Sequence, residues 1–143
     1  MDADKFPTRF FLLYILFYSG QAMYGVYFNL YLSNIGFSNT MVGLLVALST
    51  LVLMVAQPFW GIMSDRAQKK NTILKILYVL AALSAIMYYQ STNYLYVILI
   101  SLIFTMFFSS ITPLQDNITL EYLSEKKWDF GQIRMGGTIG YAI

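Results

Sequence analysis

Two charges, Asp116 and Arg134, lie close to the ends of long apolar stretches, where ionised groups are costly. A charge on a membrane helix costs about 2.5–3.5 kcal/mol at the helix centre, and less near its end or when it pairs or faces water. Asp116 stands about seven residues before the end of one helical pattern, which closes near Leu123; Arg134 stands about four residues into the next. A short loop joins the two patterns, so antiparallel neighbours would carry both charges roughly 6–10 Å from the loop end. A carboxylate and a guanidinium so placed can hold one another and also bind a hydroxyl-rich or anionic solute. The planar fork of Arg suits this, because it donates several hydrogen bonds at once. Ordinary interface charges, with Arg134 snorkelling to headgroups, account for the same two residues, and both readings stand.

Two uncharged polar residues, Gln21 and Asn29, fall in the first apolar stretch. Phe10, Tyr14, Phe17, Gln21, Tyr24, Phe28 and Tyr31 follow helical spacing as one aromatic stripe; Tyr18, Ala22, Gly25 and Asn29 form a second, small and polar one. The second stripe is expected to face other helices, since small residues permit close approach and polar ones seek partners or a wet cavity. Helix packing explains it as well as ligand contact does; Gln21 and Asn29 are its candidates for a cavity.

The elements that must position these groups are membrane spans. Of 143 residues, 58% are hydrophobic and 11% charged, against about 25% charged in a soluble domain. Spans are expected at about 8–32, 41–63, 71–89 and 94–123, with a fifth, incomplete one at 130–143. Fourteen residues at 1.5 Å each are too few to cross a bilayer core, so the chain reads as a fragment or a truncated frame. Pro58 is expected to bend the second span. The fourth is longer than the ~20 residues a bilayer requires, so its last turns, TPLQDNITLEYL, are expected to project into the interface or line a wet interior. The linkers 33–40 and 90–93 carry no charge, whereas Asp65, Arg66, Lys69 and Lys70 cluster between the second and third spans. All nine Lys and Arg fall at the N-terminus, in 66–75 or in 126–134, which puts the N-terminus and both charged loops in the cytoplasm. Trp128, in the second charged loop, reads as an interface anchor.

Composition also excludes. The chain has no Cys and no His, which removes thiol chemistry, the usual metal ligands and the commonest general base. With no clustered carboxylates and no filter-like repeat, an enzyme or a channel is disfavoured. A net charge of +2 gives no reason to expect nucleic acid. MDADKFPTRF does not read as a cleavable signal.

The run Gly61, Ser64-Asp65-Arg66, Lys69-Lys70 resembles the signature loop of the major facilitator superfamily, with Gln68 where that family usually has Gly. Gln57-Pro58-x-x-Gly61-x-x-Ser64-Asp65, Pro113-x-x-Asp116 and Phe130-Gly131-x-x-Arg134-Met135-x-Gly137-x-x-Gly140-Tyr141 are similar to the lactose-permease-like oligosaccharide:proton symporters and to the neighbouring nucleoside and aromatic-acid symporters. In the sugar branch a Glu stands at the position of Asp116, an Arg at that of Arg134 and a Trp at that of Tyr141, and these form part of the sugar site. The resemblance therefore implies substrate binding by Asp116, Arg134 and Tyr141. It implies a cytoplasmic gate at Gly61, Asp65, Arg66, Lys69 and Lys70.

The expected fold is all-α and integral to the membrane: the N-terminal portion of a twelve-helix major facilitator fold, with four complete helices and the start of a fifth. The expected function is proton-coupled symport of a sugar or nucleoside-like solute by alternating access, in the cell membrane, with no cofactor and no enzymatic role. Its partners would be the solute, protons, the bilayer and the missing C-terminal half. A symporter for an aromatic or other organic acid, or a truncated fragment that does not transport, are the alternatives.

Overall fold

A computed structural model describes residues 6–67 and 69–142. Five α-helices follow one another: α1 (Thr8–Asn34), α2 (Asn39–Arg66), α3 (Lys70–Met87), α4 (Tyr94–Leu123) and α5 (Phe130–Ala142). The first four are long and apolar enough to cross a membrane. Their outer faces agree with that, because large apolar side chains such as Leu16, Val26, Val55, Ile86 and Leu95 stand mostly exposed. Hydrocarbon can solvate such faces, and the helix satisfies its own backbone groups.

Local chemistry sets the helix ends. Ser38 caps α2, its hydroxyl accepting from the Met41 N–H at 3.3 Å. Before it, Gly36 takes a left-handed φ of 92°, a conformation open to Gly without steric cost. The Asn93 side chain accepts from the Leu95 N–H at 3.0 Å, at the start of α4. At the start of α5, the Gln132 side chain reaches back to accept from the Asp129 N–H at 3.2 Å, one half of a capping box.

Two units make up the chain. The first comprises residues 6–34 with 119–142: α1, α5 and the last turn of α4. Its core is Tyr14, Leu123 and Ile133, with Phe10, Tyr18, Trp128 and Phe130 packed around it. Helices α1 and α5 run parallel and close, because three glycines of α5 face α1. A Cβ on Gly136 would come 2.7 Å from the Phe11 carbonyl oxygen, one on Gly137 would come 2.8 Å from the Tyr18 ring, and one on Gly140 would collide with the Ile15 carbonyl. Small residues at such a seam let backbones touch. Trp128 packs edge-on against Phe6, with ring centroids 5.1 Å apart.

The second unit, residues 35–118, holds α2, α3 and most of α4. Here side-chain hydrogen bonds join the helices. Tyr78 of α3 donates to the Gln115 carbonyl of α4 at 2.6 Å, Tyr88 donates to Ser101 at 2.9 Å, and the Gln57 amide of α2 donates to the Ser109 carbonyl at 3.3 Å.

Two expectations need correction. The small stripe of α1 meets α5 only at its start, where Tyr18 lies against Gly137, and its far end is not a buried face. Tyr14 and Phe17 of the aromatic stripe are buried, whereas Gly25 and Asn29 are exposed, and the Asn29 amide turns back to the Gly25 carbonyl at 3.5 Å. The reason is register: the α5 glycines meet α1 at Phe11, Ile15 and Tyr18, well short of Gly25. The polar end of α4 is also not simply a wet or interfacial segment. Gln115 and Thr119 are almost fully buried, each taking a hydrogen bond from a tyrosine, Tyr78 and Tyr14 respectively.

Candidate functional site

Arg134 lies on the second turn of α5 and Tyr141 on its last. Together with Gly137, Thr138 and Ala142 they share one face, and Tyr18 of α1 closes it. These six residues line an open recess of about 430 Å³, within the roughly 300–1,000 Å³ typical of small-molecule sites. Gly137 makes this wall possible. With no Cβ there, the Tyr18 ring lies directly against the α5 backbone. The same ring stacks on Tyr14, centroids 6.1 Å apart and planes 11° from parallel, and meets Phe17 edge-on at 5.5 Å. Tyr18 is thus held by three neighbours.

The Arg134 guanidinium stands 5.7 Å from the centre of the Phe130 ring, one turn earlier on its own helix. A cation over an aromatic face is attracted by the ring quadrupole, and this orients the guanidinium while leaving Arg134 exposed. Tyr141 is likewise exposed at the other end of the recess. The wall therefore offers a planar cation, two phenols and the Thr138 hydroxyl on an otherwise apolar floor.

The other expected site residues are not among those that line the recess. Gln21 is half-buried on α1, and its side-chain oxygen is buried without a hydrogen-bond partner among the described residues. Asn29 is exposed and bonded to its own helix. Asp116 is half-buried on α4, within the unit of residues 35–118.

At the charged turn, Gly61, Asp65 and Arg66 belong to the end of α2, Lys69 is the extended residue before α3, and Lys70 is the first residue of α3. The sequence reading treats this stretch as a loop, but the backbone leaves the helix only after Arg66. Lys70 and Asp65 approach across the turn at 4.0 Å, with Asp65 two-thirds exposed. An exposed pair of this kind contributes only about 0–1 kcal/mol. Gln68, where the signature departs, lies outside the described residues. Sequence reasoning did not single out Tyr18 or Thr138 as site residues. Their signal is the spacing Gly136-Gly137-x-x-Gly140, which marks a close helix seam.

Residues 8–143 match the model of the MFS_1 like family. Over 106 residues the chain is 34% identical to the uncharacterized transporter YwbF of Bacillus subtilis, covering 74% of this chain and 27% of that protein. It is 30% identical to a maltose permease of Geobacillus stearothermophilus, over 96% of this chain and 34% of the permease. A probable 3-phenylpropionic acid transporter of Escherichia coli is 20% identical over 95% of this chain and 36% of its own length. The chain thus spans about a third of the length of these relatives. No solved structure matches it.

Proposed function

The chain belongs to the MFS_1 like family of the major facilitator superfamily, and from that premise we propose that it is part of a secondary transporter moving a small solute by alternating access. Its four apolar spans make it a multi-pass membrane protein. The observation that supports the proposal most is the family match across residues 8–143, to which the named transporters add weight. In alternating access two bundles rock about a solute site near the membrane midplane.

On this reading the recess of Arg134, Tyr141 and Tyr18 is one wall of the solute site, and Asp116 is a further solute-binding carboxylate. A sugar or nucleoside-like solute fits such chemistry: hydroxyls accept from the guanidinium, donate to the carboxylate, and leave a ring face for an aromatic wall. The similarity to a maltose permease favours the sugar. Coupling to protons and residence in the cell membrane are parts of the same proposal. An organic acid is the second reading, favoured by the relative named for 3-phenylpropionic acid and by a guanidinium in the recess.

The test is uptake by cells expressing the encoding gene, with radiolabelled maltose, uridine and 3-phenylpropionate as probes. Asp116→Asn and Arg134→Lys should each lower accumulation of the accepted probe by about a hundredfold, as expected when one partner of a charged, desolvated contact is lost at about 2–5 kcal/mol. Membrane insertion should be unchanged by immunoblot. Wild-type uptake in both variants would remove these two residues from the site.

A further inference from the structure

We infer that Tyr18 is a specificity-determining binding residue of the recess, its hydroxyl engaging one particular hydroxyl of a ring-shaped polyol or nucleoside-like solute; this rests on the transport reading above. Three observations carry it. Tyr18 lines the recess together with Arg134, Thr138 and Tyr141. Its ring is fixed, stacked on Tyr14, edge-on to Phe17 and seated on Gly137. Its hydroxyl has no hydrogen-bond partner among the described residues, in contrast to Tyr14, Tyr78 and Tyr88, which all donate to α4.

The contrast matters because a half-buried phenol is amphipathic and ordinarily places its polar tip against a partner. Here the ring cannot turn away to find one: its own helix holds it through Tyr14 and Phe17, and the α5 backbone blocks it at Gly137. A side chain so held loses little entropy when a ligand binds, which favours selective contact. A phenol hydroxyl both donates and accepts, so it suits a solute hydroxyl, which does the same. A site that hydrogen-bonds a solute hydroxyl discriminates sharply against the analogue lacking it.

Tyr18→Phe tests this, because it deletes the hydroxyl and keeps the ring on its three neighbours. Uptake of maltose and uridine is measured in cells expressing wild type and variant, with singly deoxygenated analogues of the accepted probe as competitors. Wild type should prefer the parent over one deoxy analogue by about tenfold, the worth of one hydrogen bond, and Tyr18→Phe should abolish that preference while retaining it for the other positions. A purely structural role would weaken all analogues alike. If wild type transports a probe and Tyr18→Phe keeps the full pattern of discrimination, the Tyr18 contact is refuted and the transport reading stands. If wild type takes up neither maltose nor uridine, the hydroxylated-solute reading fails, and the Tyr18 contact fails with it.

Discussion

The three glycines of the α1–α5 seam have different neighbours from the rest. Among the described residues and beyond their own helix turn, Gly20, Gly25, Gly43, Gly61 and Gly131 have nothing within 4 Å of where a Cβ would stand, whereas Gly136, Gly137 and Gly140 meet backbone or ring atoms. At Gly140 the obstacle is the Ile15 backbone, which cannot rotate aside. Gly140→Ala must therefore push the helices apart, at about 1–3 kcal/mol by analogy with overpacked cores. The thermal midpoint of the purified protein should fall, while Gly25→Ala should hold it or raise it, since Ala is the better helix former. Equal midpoints for the two variants would show that the seam is not tight. The same residues explain what could be read from sequence. Arg134 stands out by its charge near the end of an apolar stretch and Tyr141 through a family resemblance, and both line the recess. Tyr18 was visible only as one member of a stripe, because its role depends on which α5 residue lies opposite. Periodicity within a helix carries no information about register between helices.

At the scale of helices, hydropathy located each span but not its ends. Helix α2 continues through Ser64, Asp65 and Arg66, beyond the expected end near Met63. Apolar character stops where the lipid stops; backbone hydrogen bonds continue for as long as the residues tolerate them. The polar residues of α4 depart from a hydropathy reading for a related reason. Ser101, Gln115 and Thr119 are buried where tyrosines meet them, and the partners lie far away in sequence. The Tyr78–Gln115 bond, at 2.6 Å, is the shortest of these. Tyr78→Phe should destabilise the α3–α4 contact by about 1 kcal/mol, because a buried amide loses a donor. Gln115→Leu removes the acceptor as well, so the double variant should cost less than the sum of the two single ones. Strict additivity of the three unfolding midpoints would mean that the bond contributes nothing.

For the whole molecule, charge is the remaining guide. Loops 33–40 and 90–93 carry no Lys or Arg, and all nine basic residues fall in three other segments. From the positive-inside rule Lys69 and Lys127 are expected in the cytoplasm and Ser38 and Gln90 outside. The parallel run of α1 and α5 shows that both enter from one side and leaves open which side that is. The chain has no native cysteine, so single substitutions report cleanly within it. In intact cells, Ser38→Cys and Gln90→Cys should react with an impermeant maleimide, while Lys69→Cys and Lys127→Cys should react only after permeabilisation. The cytoplasmic gate that the resemblance implies depends on this result, because Asp65 and Lys70 face each other across the turn that contains Lys69. Labelling of Lys69→Cys from outside would invert the topology. It would move that ion pair to the outer face, and a cytoplasmic gate at this turn could not be retained.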